Sequence, residues 1–258
     1  MLDRVVSVVR AAGELMLSFR APKVFTKEGH ANFVTECDIA VQEFLFSQLQ
    51  PILPEAVFFA EEQENAVMTD SFTWVIDPID GTTNFIRNRG CSAISVALLK
   101  DKVPVLAVVY LPYLDRMYTA ERGRGAYCNG EHIAVSHRPL QDCIVSFGTS
   151  PYYRELADRS MDIARSFLHC AADIRRTGSA VVDLCDMASG GCDIFFELRL
   201  SPWDFAAGVL LIAEAGGKVC GLHSEGIPIP LAFDQLTGVL ACAPELYEDI
   251  AHRLTDVL

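Results

Sequence analysis

An α+β fold whose second half turns to α/β alternation is what the sequence predicts, and three observations carry it. Two stretches with helical apolar spacing open the chain, a succession of short β-like runs follows from Val57, and after about Ser136 strand-like and helix-like segments take turns. The 258 residues, 51% apolar and 21% charged, suit a globular chain and neither a disordered nor a fibrous one. A chain of this length buries roughly 70–75% of the surface it exposes when unfolded, so the layers have a substantial core to share.

The first helix is predicted over 2–18, where apolar residues recur between Asp3, Arg4, Arg10 and Glu14. The second spans 38–50, starting at Asp38, an acid suited to a helix N-terminus, and stopping before Pro51 and Pro54. Strands follow at Val57 to Ala60, Phe72 to Ile76, Ile94 to Leu99 and Val103 to Tyr110, each bounded by turn residues. Asn129-Gly130, inside Ala126 to Val135, is the preferred pair of a type I′ hairpin. The first half thus reads as helices on a largely antiparallel sheet. In the second half a strand is predicted near Ile144 to Phe147, a helix near 151–169, a strand at Asp173 to Arg175, a helix near 179–189, a strand at Asp193 to Glu197 and a helix at 202–215. Without a Pro/Ser-rich linker or an internal repeat, the two halves, 1–138 and 139–258, are expected to share a tight interface.

Thirty-four acids against 21 Lys and Arg leave a net charge of -13, which repels nucleic-acid phosphates and anionic lipid and makes neither an expected partner. The same surplus favours divalent cations. The opening stretch is too interrupted by charge for a signal peptide, and no run reaches the ~18 apolar residues of a membrane span. Nine cysteines, scattered and without a CxxC pair, point to a reducing, cytoplasmic setting and away from a disulfide framework or structural zinc. GRGAYC at 123–128 lacks the third glycine of a dinucleotide loop, and neither a Walker lysine loop, a GxSxG elbow nor an HExxH pair occurs. Any hydrolytic chemistry here must run on carboxylates.

Those carboxylates are densest in WVIDPIDGTTNF, residues 74–85. Pro78 disfavours helix at Asp77 and leaves the Ile79 carbonyl without an obvious partner. Two acids and a carbonyl within four residues make an oxygen-rich cradle for a hard cation such as Mg²⁺. Gly81 lets backbone approach a ligand, and Thr82 and Thr83 open a short helix whose N–H groups suit a phosphate. Taken singly, this is also the pattern of an Asp-Gly turn after a buried strand. Glu61 and Glu62 close another apolar run, and Ser201 to Asp204 fits a helix-capping pattern ahead of Phe205 to Ala215. A carboxylate at a strand end, a two-carboxylate turn and a carboxylate heading an apolar helix are together the parts of a two-metal phosphatase.

In this combination and order the chain resembles the inositol monophosphatase family, within the lithium-sensitive, magnesium-dependent phosphatase superfamily. The matching elements are Lys27 with NFVTECD ending at Asp38, AEE at 60–62, DPIDGTTNF at 77–85, GRGAYCNG at 123–130, RRTGSAVVD at 175–183 and SPWDFAAGVLLIAEAGG at 201–217. The resemblance implies a layered αβαβα sandwich of the inositol monophosphatase and fructose-1,6-bisphosphatase type, often dimeric, with two or three Mg²⁺ ions per active site. It implies Glu61, Asp77 and the Ile79 carbonyl as ligands of one metal, and Asp77, Asp80 and Asp204 as ligands of the second. Thr82 with Glu61 matches the pair that orients and deprotonates the attacking water, with Asp38 supporting the threonine. Gly81 and Thr82 match the phosphate-binding backbone, Gly178, Ser179, Ala180 and Glu197 the substrate wall, and Lys27 a further contact; Asp80 and Asp204 face the same substrate.

Ala60 stands where the family usually has glycine and Asn32 where it commonly has aspartate, while IRNRGC at 86–91 and Arg199 also depart from the common pattern. The implied substrate is inositol monophosphate or a similar polyol phosphate, with fructose 1,6-bisphosphate or NADP as alternatives. A catalytically idle regulatory or partner-binding module is the alternative of another class. If the strand through Glu197 continues, Arg199 shares its face. It would then pair with Glu197, reach a second anionic group on a substrate, or lie on a solvated edge or subunit contact.

Overall fold

The computed structural model describes residues 1–27, 32–65, 67–68, 70–223 and 228–256. Helix α1 (Leu2–Ser18) buries Val5, Val9, Ala12, Gly13 and Met16, one stripe at helical spacing. Strands β1 (Val24–Thr26) and β2 (Phe33–Thr35) form a two-stranded antiparallel ribbon absent from the sequence reading, too short and too exposed for an apolar signal. Helix α2 (Glu36–Leu49) begins before Asp38, because Thr35 is its N-cap: Thr35 Oγ1 accepts from the N–H groups of Cys37 (3.1 Å) and Asp38 (3.3 Å). Asp38 Oδ2 returns the bond by accepting from Thr35 N at 2.8 Å, so the acid is the third residue of a capping box.

Strands β3 (Val57–Ala60) and β4 (Thr73–Asp80) pair in parallel. After the short helix α3 (Thr82–Ile86) come β5 (Ala93–Lys100), β6 (Val103–Leu111), β7 (Arg116–Glu121), β8 (Ala126–Cys128) and β9 (Glu131–Ile133), antiparallel and in sequence order. The β8–β9 turn is the expected hairpin, with Asn129 at φ 51 and Gly130 at φ 82. Strand β4 continues to Asp80, four residues beyond the predicted end, and its register against β5 shifts between Asp77 and Asp80. Pro78, which has no N–H for the ladder, lies in that irregularity.

The second sheet runs in the order β11 (Asp173–Arg175), β10 (Ile144–Phe147), β12 (Ile194–Leu200), β15 (Thr237–Cys242), β13 (Lys218–Leu222), β14 (Pro228–Ile229). Helix α4 (Ala157–Leu168) starts six residues later than predicted, since 151–153 turn across the mouth of the cleft and a 3₁₀ turn fills Arg154–Leu156. Then come β11, α5 (Ala180–Ala188), β12, α6 (Pro202–Glu214), β13, β14, β15 and α7 (Tyr247–Asp256).

Alternating side chains divide the core into layers. Trp74 and Ile76 of β4 pack with Val5, Val9, Val41 and Leu45 of α1 and α2, while Val75 faces Leu184 of α5 and Phe205 and Leu211 of α6. Phe195 of β12 joins that central layer, and its neighbours Ile194 and Phe196 pack on Phe167, Ile250 and Leu254 of α4 and α7. The sequence of layers is therefore α, β, α, β, α, as expected. Each fully buried large side chain contributes about 1.5–3 kcal/mol. The central layer fixes α5 and α6 with their N-termini at the end of β4, where the cleft opens.

Candidate active site

The floor of the cleft is made by Asp77 and Asp80 of β4, buried at 1% and 8% exposure, and by half-buried Asp204 in the first turn of α6. One carboxylate oxygen from each of the three lies within 4.8 Å of the others. Backbone N–H groups fix all three: Ile79 N donates to Asp77 Oδ1 (3.0 Å), Val181 N to Asp80 Oδ2 (2.9 Å) and Ser201 N to Asp204 Oδ2 (2.7 Å), while Ser179 Oγ also donates to Asp80. Gly81 turns the chain from β4 into α3 at φ +81, a left-handed conformation that costs glycine nothing. Burial first, and then mutual repulsion with Glu61, raise Asp77 well above the carboxylate range. Asp204 is raised in the same way by burial and Asp80, and Asp80 is pushed up to about 6 by burial against its hydrogen bonds to Ser179 and Val181. The chain alone prefers protons here, and a divalent cation satisfies the same oxygens without them.

Behind this floor Thr82 Oγ1 lies 3.2 Å from the Ile79 carbonyl and 3.3 Å from Asp38 Oδ1. The Ile79 oxygen, expected to lack a partner, thus has a hydroxyl within reach. Glu61 follows the end of β3 and lines the cleft outside the tight trio. Lys27 Nζ reaches Glu61 Oε1 at 3.1 Å and Glu62 Oε1 at 2.6 Å. Burial and the neighbouring Glu61 push Glu62 up to about 7. Gln42 clamps the acid pair through Glu62, accepting from its N–H and donating to its carbonyl, both at 3.0 Å.

The cleft encloses about 580 Å³ and gathers Lys27, Glu61, Asp77, Asp80, Thr82, Gly178, Ser179, Ala180, Glu197 and Asp204 on one surface. Of the sequence-predicted residues, Asp38, Ile79 and Gly81 stand behind the lining and hold it in place. Glu197 Oε1 accepts from Ser150 N at 2.8 Å, with Ser150 Oγ 3.3 Å away, and burial pushes the carboxyl up to about 7. Gly148 is required beside it, since a Cβ there would sit 1.8 Å from Glu197 Oε2.

Of the alternatives for Arg199, the pairing with Glu197 is not the one its side chain makes. Arg199 shares the cleft face with Glu197, as alternation along the strand predicts, while Leu198 packs with Ile194 and Phe196 on the other side; the register against β15 shifts between Glu197 and Leu200, and Leu200 turns back into the central layer. The Arg199 Cζ lies 4.2 Å from the Tyr153 ring centre, and its ion pair, at 3.5 Å, is with Glu155. The guanidinium whose charge acts on Glu197 belongs to Arg176. Arg176, Gly148, Ser150, Tyr152, Trp203 and Asp183 are lining residues that the sequence reading assigned no role. Asp183 carries a signal, an acid inside an apolar helical run. It is buried, Oδ1 has no partner among the described residues, and burial pushes it up to about 7.

A five-layer αβαβα chain with a carboxylate-floored cleft at the head of its central helices defines the fold class of the inositol monophosphatase-type proteins. The chain belongs to the inositol monophosphatase family, whose profile matches residues 1–258. It is 39% identical over 225 residues to Nus factor SuhB of Escherichia coli (strain K12), covering 85% of this chain and 84% of that one. It is 35% identical over 228 residues to inositol monophosphatase 2 of Solanum lycopersicum, covering 84% and 86%. Among solved structures, the inositol monophosphatase from Anabaena (Nostoc) sp. PCC 7120 superposes with a TM-score of 0.86 at 29% identity, over 100% of this chain and 96% of that one.

Proposed function

We propose that the protein is a metal-dependent phosphomonoesterase for inositol monophosphate or a related polyol phosphate. The observation that carries this reading is the trio Asp77, Asp80 and Asp204, with oxygens within 4.8 Å on the floor of a cleft whose wall presents Glu197. An all-oxygen donor set of this charge fits Mg²⁺, and Glu61, Asp77, the Ile79 carbonyl, Asp80 and Asp204 are the residues that would hold two or three such ions. When bound, the metal supplies a water of lowered pKa and neutralises charge on the leaving oxygen.

The chain's own residues do the rest. Thr82 Oγ1, oriented by Asp38, holds the attacking water together with Glu61, which takes its proton. Gly81 and Thr82 present backbone N–H groups to the phosphate oxygens. Gly178, Ser179 and Ala180 wall the pocket, Glu197 accepts a substrate hydroxyl, and Lys27 keeps Glu61 and Glu62 from repelling each other. Water oxygen bonds to phosphorus as the ester P–O bond breaks, and the alkoxide leaves as an alcohol on gaining a proton.

The test is Mg²⁺-dependent phosphate release from inositol 1-phosphate by the purified protein and by Asp77→Asn. A folded variant without turnover is expected, because the substitution removes a charged carboxylate that the bound metal would need. Folded Asp77→Asn with near wild-type release overturns the reading. Millimolar lithium, competing at the Asp77–Asp80–Asp204 position, is the second arm, with equal sodium chloride as control. A homodimer in the cytoplasm completes the proposal, and sedimentation reads the oligomeric state. The Nus-factor names of relatives such as the Escherichia coli protein support a second reading, a partner-binding role. An inactive wild type with an intact fold would favour it.

A further inference from the structure

The cleft is acidic at its floor and cationic at its mouth. Of the three cations among its described lining residues, two act on carboxylates of the site itself: Lys27 holds Glu61 and Glu62, and Arg176 acts on Glu197. Arg199 is placed differently. It lines the cleft on the same strand face as Glu197, its N–H donates to Ser150 Oγ at 3.1 Å, and its carbonyl accepts from the same hydroxyl at 2.9 Å. Ser150 is also the residue that fixes Glu197, so a single clamp sets the position of both. The guanidinium stacks on Tyr153 at 4.2 Å, and its ion pair is with Glu155, at 3.5 Å and with the Glu155 side chain 66% exposed. Among the described residues it donates no hydrogen bond. A pair of that length and exposure contributes little, so an incoming anion displaces Glu155 cheaply while the aromatic stack keeps the guanidinium plane in place.

We propose that Arg199, stacked on Tyr153 and anchored through Ser150, forms a second anion subsite at the mouth of the cleft, selecting phosphate esters that carry a second, separate phosphate. The inference rests on the phosphatase reading and adds a substrate class to the monophosphates proposed above. The floor takes the phosphate that is hydrolysed; a second phosphate cannot share those carboxylates and meets a planar fork suited to two of its oxygens. Sugar bisphosphates and nucleoside bisphosphates share this chemistry. Tyr152, 48% exposed on the same rim, offers a ring against which a base could stack.

Steady-state kinetics of the wild type, Arg199→Gly and Arg199→Lys separate the outcomes, with fructose 1,6-bisphosphate, adenosine 3′,5′-bisphosphate and inositol 1-phosphate as substrates. For at least one bisphosphate, Arg199→Gly should lower kcat/KM by about tenfold or more, through KM, and leave inositol 1-phosphate within about twofold. Arg199→Lys should fall between, keeping the charge and losing the fork. Whichever bisphosphate responds identifies the source. Unchanged ratios among the three substrates overturn the subsite. If the wild type hydrolyses none of them, the phosphatase reading itself fails. Calorimetric titration of fructose 1,6-bisphosphate and fructose 6-phosphate into wild type and Arg199→Gly then decides the subsite alone: a selective loss of about tenfold for the bisphosphate supports it, and equal affinities overturn it.

Discussion

Thr82 has one hydroxyl proton and two acceptors in reach, the Ile79 carbonyl at 3.2 Å and Asp38 Oδ1 at 3.3 Å. Both distances are long for O–H···O bonds, so neither acceptor holds the proton firmly and the hydroxyl is free to reorient toward a water. Asp38 cannot follow, because its other oxygen accepts the Thr35 N–H and hydroxyl inside the capping box of α2. Replacing Thr82 with Ala should therefore lower kcat by about 10²-fold or more, with a smaller change in KM, the scale of a positioned proton-transfer group. Stopped-time phosphate assays across substrate concentration check this. A loss confined to KM would assign Thr82 to ground-state binding.

Single elements differed in how far the sequence disclosed them, and the reasons are physical. Helix α1 and strands β5 and β6 were legible because each buries one face or both against a layer, and the apolar residues show it. The ribbon β1–β2 was not, since β1 is exposed at all three positions. The start of α2 was misplaced because a threonine N-cap and an acid at the third position both look like a first residue when only the spacing is visible. In the site, the acids stood out as a constellation within β4 and at the head of α6, whereas Arg176 and Gly148 act on Glu197 from segments remote in sequence. Gly148, just past β10, lies against the end of Glu197 on β12. Gly148→Ala should keep the fold, because the atoms displaced are the tip of a side chain, yet drive the Glu197 carboxylate off its Ser150 partner. Circular dichroism should be unchanged while kcat/KM for a polyol phosphate falls by about tenfold, the scale of one charge-assisted hydrogen bond; unaltered kinetics would remove Glu197 from substrate recognition.

Across the whole molecule, the acidic cleft ties stability to pH and to metal with a definite sign. Asp80 at about 6, Asp183, Glu62 and Glu197 at about 7, and the strongly raised Asp77 and Asp204 all hold protons in the folded chain that the unfolded chain has released by about pH 5. Between those values the folded state binds more protons, so stability of the metal-free protein falls as pH rises from about 5 to 7.5. The exposed acids Asp115, Asp173 and Glu245 are lowered instead and act oppositely, but their titration lies below this window and solvent screens it. Metal needs the deprotonated oxygens, so it reverses the trend. At a hundred times its dissociation constant it adds about 2.7 kcal/mol, a rise of roughly 5–10 °C in Tm for a chain of this length. Thermal unfolding of the metal-free protein should therefore show a lower Tm at pH 7.5 than at pH 5, with Mg²⁺ raising Tm at pH 7.5 and far less at pH 5. A magnesium shift independent of pH would separate metal binding from the Asp77–Asp80–Asp204 floor, and a Tm that climbs with pH without metal would mean that these carboxylates are solvated and ionised in the folded chain.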